Sequence, residues 1–159
     1  MDKHVVSGGT FVPELVEILS SGAQVSLVVS GSSMKPFLKH GRDVVCLRAC
    51  TDKDIKCGQI LLFKRADQSI ILHRVRKVLS KQQIVMNGDG QAWCETISFN
   101  QVIAVVLSVE RKGRYISCDH VWFHLWNAFW YPTRVLRPAL FKIWHILFCR
   151  GAGQRGTSC

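Results

Sequence analysis

Two short stretches of this 159-residue chain hold residue types that could carry out nucleophilic chemistry. In Val28-Val29-Ser30-Gly31-Ser32-Ser33-Met34-Lys35-Pro36, an apolar, β-branched run halts at a glycine-serine cluster, and a proline follows three residues after Ser33. A hydroxyl at such a strand end lies close to newly exposed backbone N–H groups, the donors that a tetrahedral oxyanion needs. The second stretch, Ile70-Ile71-Leu72-His73-Arg74-Val75, sets an imidazole inside an apolar strand pattern. Ser33 with His73 as general base is the minimum for an activated serine nucleophile. Alone, Ser33 reads as a turn serine bonded to its own backbone, and His73 as a strand histidine paired across a sheet. Only the pair points to hydrolysis.

Strands are the elements that must bring these two residues together. Apolar and β-branched runs over 25–30, 43–48, 59–64, 69–79, 83–86 and 102–110 are punctuated by Gly41, Gly58, Gly88-Asp89-Gly90 and Gly113. The separators are too short for βαβ crossovers, so the expected class is mainly β, an antiparallel sheet closed or folded over on itself. Ahead of it, residues 11–20 predict a short amphipathic helix with Phe11, Leu15 and Ile18 or Leu19 inward and Glu14 and Glu17 outward. After Gly113 the composition changes. Residues 121–131 predict an aromatic helix stopped by Pro132, and Leu136, Leu140, Ile143, Trp144 and Leu147 form a second helical stripe, giving a helical hairpin. The expected organisation is an N-terminal segment over 1–24, a β domain over 25–114, an aromatic, basic hairpin over 115–150 and a flexible tail over 151–159.

Charge is unevenly distributed. The chain carries +10, and residues 111–159 account for most of it, with eight Lys or Arg against the single acid Asp119. Such a basic, aromatic segment suits an anionic membrane surface better than nucleic acid, and no nucleic-acid partner is expected. A hairpin packed on the β domain or on a protein partner fits the same pattern equally. His124, Pro132, Arg134, Arg137 and Lys142 interrupt the apolar tract, so the hairpin is expected to lie on a membrane, not to cross it. Met1-Asp2-Lys3-His4-Val5 starts polar, without the apolar core of a secretory leader, and seven cysteines are an odd number. Reduced thiols and a cytoplasmic location, peripheral at a membrane, are the expectation. Cys46, Cys50 and Cys57 lack the paired short loops of a structural zinc site, and no metal or cofactor is expected.

Four boxes occur in order: Gly31-x-Ser33-Met34-x-Pro36, Gly58-Gln59-Ile60-Leu61-Leu62-Phe63, His73-Arg74-Val75 and Asn87-Gly88-Asp89. Together they resemble the signal peptidase I and LexA-like clan of serine endopeptidases over about residues 25–110. The resemblance implies a folded antiparallel β domain, Ser33 as nucleophile, and Met34 and Pro36 as residues that shape its turn and the substrate cleft. Where bacterial signal peptidases and LexA-type proteins place a lysine base, this chain has His73, which resembles the endoplasmic-reticulum and archaeal signal peptidases. Histidine titrates near neutral pH without the desolvation that a lysine base requires.

The same resemblance implies a carboxylate behind the histidine. Asp89 in the Gly-Asp turn is the first candidate, although it also reads as a turn residue, and Glu95 is the second. The oxyanion hole would draw on the Ser33 N–H with help from Ser32, the nearest neighbouring hydroxyl. Arg74 is expected to support the fold or a carboxylate, and Asp43 to be structural. The implied substrate is an extended peptide or precursor with small residues before the scissile bond. Two other classes fit parts of the pattern: a self-cleaving regulator, for which too few residues precede 25 to form a DNA-binding unit, and a catalytically silent β-domain binding module acting at a membrane surface or on a protein partner.

Overall fold

The computed structural model describes residues 12–136, apart from Lys81 and Tyr131. Eight strands form one antiparallel sheet: β1 Val25–Val28, β2 Asp43–Ala49, β3 Ile60–Lys64, β4 Ile70–Val78, β5 Gln83–Asn87, β6 Glu95–Ser98, β7 Val102–Arg111 and β8 Arg114–Ser117. Their spatial order is β1-β2-β7-β3-β4-β5-β6, with β8 paired to one end of β7. The mainly β expectation holds. Two strands were not foreseen: β6, which has a single buried apolar residue, Ile97, and β8. Gly113 is the second residue of a two-residue hairpin turn, not a boundary. Lys112 and Gly113 both have positive φ, the geometry that joins twisted strands tightly, and Arg111 pairs with Arg114 across it. The sheet therefore runs on to Ser117.

Alternation along the strands makes two apolar clusters, one on each face of the sheet. Val45 and Leu47 of β2, Ile60 and Leu62 of β3, and Ala104, Val106 and Val109 of β7 join one cluster. Leu61 and Phe63, Val75, Ile84 and Met86, Ile97 and Val105 form the other. Helix α1, Val12–Ser20, closes the first cluster with Leu15 and Leu19, one helical turn apart, while Glu14 and Glu17 stay exposed.

Strand β4 contributes to both faces, and that alternation matters for the site. Ile70 and Leu72 pack toward the first cluster and Ile71 and Val75 toward the second. Its pairing is also uneven along its length. β3 pairs with Ile70 to Arg74, but β5 pairs only from Arg74 onward, so residues 70–73 keep one edge without a partner strand among the described residues.

At the C-terminal side, helix α2 spans Val121–Trp130, and a short 3-10 turn follows at Pro132–Val135, where the proline was expected to end the helix. Phe123 inserts into the first cluster and meets the Phe37 ring edge-on at 5.2 Å. Apart from Leu136, the second helix expected for the hairpin lies outside the described residues, as does the tail. Among the described residues no helix is long and apolar enough to cross a membrane.

Candidate active site

Ser33 sits in the turn between β1 and β2, beyond Gly31, whose φ of +83 takes the chain out of the strand direction. Leu38 N–H closes on the Met34 carbonyl and Lys35 N–H on the Ser32 carbonyl, while Met34 is buried as an anchor. Ser32 and Pro36 stay exposed and Ser33 is half-buried. The Ser33 N–H donates to no other group among the described residues, as an oxyanion donor requires.

The Gly88-Asp89-Gly90 turn after β5 docks directly on this segment. Gly90 N–H donates to the Ser33 carbonyl at 2.8 Å. A Cβ on Gly88 would lie 2.6 Å from the Ser33 carbonyl oxygen and 2.9 Å from His73 Nε2, and one on Gly90 would lie 2.9 Å from the Lys35 carbonyl. Only glycine permits that approach. Ser33 and the imidazole thus meet across one glycine, although they are 40 positions apart in sequence.

His73 is 1% exposed. Its Nδ1 lies 2.8 Å from Glu95 Oε1 on β6. Among the described residues its Nε2 has no hydrogen-bond partner, so the Ser33 hydroxyl is not bonded to it in this arrangement. Arg65, in the turn that joins β3 to β4, grips Glu95 with both ends of its guanidinium, Nε to Oε2 at 2.7 Å and Nη2 to Oε1 at 2.6 Å. Trp93 stands edge-on to the imidazole at 6.2 Å and beneath the Arg65 guanidinium at 5.6 Å. Nothing in the sequence pattern marked Arg65 or Trp93. Their roles follow from the β3–β4 turn lying beside β6.

Of the two carboxylates expected behind the histidine, Asp89 faces elsewhere. It is fully buried against two guanidiniums, with Arg74 Nη2 at 2.6 Å and Arg76 Nη2 at 2.7 Å. Arg74 is itself clamped between the Phe37 and Phe123 rings, at 4.8 and 4.6 Å, and donates to the Gly58 carbonyl. The first choice between the acids is therefore corrected: Glu95 is the carboxylate at His73, and Asp89 anchors the loop. The physical reason is strand parity. Arg74 lies on the face of β4 opposite His73, and Arg76, at the register shift between Val75 and Lys77, reaches the same carboxylate, so the acid that neutralises the arginines turns away from the imidazole. Asp43 is structural as expected. Burial would raise its pKa, but Arg42, Arg111 and the Lys39 N–H more than offset that and hold it well below the usual carboxylate range.

Along the unpaired edge of β4 runs a groove of about 460 Å³, lined by Val29 to Met34 on one wall, Ile70, Ile71 and Leu72 on the other, and Gly90 and Gln91 at its end. His73 is the next residue of the same strand. Among the described residues no three His, Cys, Asp or Glu side chains gather as metal ligands. Burial pushes the Cys50 and Cys118 thiols up to about 12.

Burial also pushes His73 below its ordinary 6.5, with Glu95 opposing and Arg65 adding to the shift. The neutral imidazole is therefore the form present at pH 7. We expect the imidazole, followed by NMR, to titrate with a midpoint below 6.5. Between that midpoint and 6.5 the unfolded chain binds the proton more readily, so folding stability is full above 6.5 and falls as pH drops through the folded midpoint. Denaturation series from neutral pH to about pH 5 check the sign, and stability that rises on acidification contradicts it.

Comparison with family models, with curated proteins and with solved structures finds no match to this chain. The arrangement of residues 33, 73 and 95 is therefore what a functional assignment has to rest on.

Proposed function

We propose that this protein is a serine endopeptidase that cleaves an extended segment of a peptide or precursor protein, with Ser33 as nucleophile, His73 as general base and Glu95 behind the base. One observation carries the proposal: His73 Nε2 converges with the Ser33 main chain on Gly88, while the other ring nitrogen faces the Glu95 carboxylate. Catalytic hydrogen bonds are commonly long in free enzymes and tighten with substrate, so the absent Ser33–His73 bond is compatible with this role.

The chemistry is acyl transfer. Ser33 Oγ adds to the scissile carbonyl carbon as its proton passes to His73 Nε2, and the Ser33 N–H, helped by the Ser32 hydroxyl, faces the oxyanion. The imidazolium, supported by Glu95, returns the proton to the amine as the C–N bond breaks. Water then repeats the cycle on the ester and frees the acid and Ser33. Substrate enters as an added strand on the open edge of β4, where backbone hydrogen bonds supply affinity and alternate side chains meet Val29, Met34 and Leu72. These apolar walls suit small or apolar side chains, in keeping with the signal-peptidase-like boxes.

A fluorophosphonate or peptide-aldehyde probe tests the proposal. Wild type is expected to be labelled at Ser33, with labelling lost in Ser33→Ala. Labelling that survives the substitution, or a folded wild type that takes up neither probe, removes the assignment.

A further inference from the structure

Helix α2 presents a feature outside the groove beside His73. Its ten residues, Val121–Trp130, include no Lys, Arg, Asp or Glu. One face is bound to the protein: Phe123 is buried against Phe37 and Arg74, Trp126 and Trp130 stack at 5.0 Å, and Trp130 Nε1 donates to the Asp89 carbonyl at 2.8 Å. The other face is apolar and open. Val121, Leu125 and Phe129, spaced one turn apart, are 59%, 50% and 79% exposed. A surface helix ordinarily turns charges to water and hydrocarbon to the core, and this one turns hydrocarbon both ways.

We propose that this stripe lies in the plane of an anionic membrane surface and inserts Leu125 and Phe129 at the headgroup boundary. Charge complementarity selects the occupant. Residues 111–159 carry eight Lys or Arg and one acid, Asp119, whereas α2 itself is uncharged. An apolar stripe within a basic stretch of the sequence matches an interface that offers both acyl chains and anionic headgroups. A nucleic acid would draw on the basic residues and leave the stripe without a partner. At ten residues, α2 reaches only about half the length that spanning a bilayer needs, so it binds in the interface.

Flotation of the full chain with two kinds of vesicle tests this: phosphatidylcholine alone, and phosphatidylcholine with about one part in four phosphatidylserine. Wild type is expected to float with the anionic vesicles, less so as salt is raised, and to show little affinity for the neutral ones. The double variant Leu125→Gln/Phe129→Gln is expected to lose at least about tenfold in partitioning while unfolding at the wild-type temperature, since both side chains are exposed. Ser33→Ala is expected to float like wild type, so failure of the catalytic assignment and failure of this one are read separately. The proposal is overturned if wild type floats with neither vesicle, if the double variant floats as well as wild type, or if the chain binds a single-stranded oligonucleotide and no vesicle.

Discussion

Asp89→Ala is expected to cost about 3–5 kcal/mol of folding stability, the penalty for stranding buried charge by removing its partner. Two guanidiniums, Arg74 and Arg76, share this carboxylate with essentially no solvent contact. Burial already pushes Arg76 down to about 10 with the aspartate in place. Against a typical total of about 5–15 kcal/mol, the loss is a large fraction of the fold's stability and is read as a fall in the urea midpoint at constant slope. Glu95→Gln supplies the contrast. Its partner Arg65 keeps 28% of its side chain exposed and can resolvate, so the expected cost is within about 1 kcal/mol. A stable Asp89→Ala protein beside a crippled Glu95→Gln fold would invert the roles assigned to the two acids.

His73→Ala is expected to lower kcat on a cleaved peptide by about ten-thousand- to a million-fold, with the fold retained. Without the imidazole the Ser33 proton has no acceptor in the buried site, and the serine is too weak a nucleophile at its own pKa to react. Ser33→Ala should fall to the same floor. Because nucleophile and base act as one unit, the double variant should lose no more than either single one, leaving the residue of rate that groove binding and the Ser33 N–H provide. Glu95→Gln sits between, at about a hundred- to ten-thousand-fold, since it orients the base without taking its proton. Losses that add in the double variant, or a His73→Ala protein that turns over normally, would show that the two residues do not work together.

How much of this was legible in the sequence depended on whether a signal was local. The long strands announced themselves by alternation and by β-branched residues, and the glycine-serine turn by its composition. β6 did not, because Glu95-Thr96-Ile97-Ser98 sends only Ile97 inward and becomes a strand by pairing with β5. The choice between Asp89 and Glu95 failed for a related reason. Proximity of Asp89 to the Gly-Asp turn was visible, but the demand of Arg74 and Arg76 for a buried anion could be recognised only by counting parity along β4 and asking which acid could reach that face. Arg65 and Trp93 depend on one turn lying against a distant strand, and no spacing rule reports that. Gly88 and Gly90 looked like turn residues; what makes them necessary is the backbone of another segment pressing on them.

The indole bond from Trp130 to the Asp89 carbonyl sets an order of events during synthesis. A ribosome releases Ser33 first, His73 40 residues later and Trp130 a further 57 residues on, because the chain grows from its N-terminus. The turn on which Ser33 and His73 converge thus gains this support only after every described strand has been made. A nascent chain therefore contains Ser33 and His73 before the contact that steadies the turn between them can form.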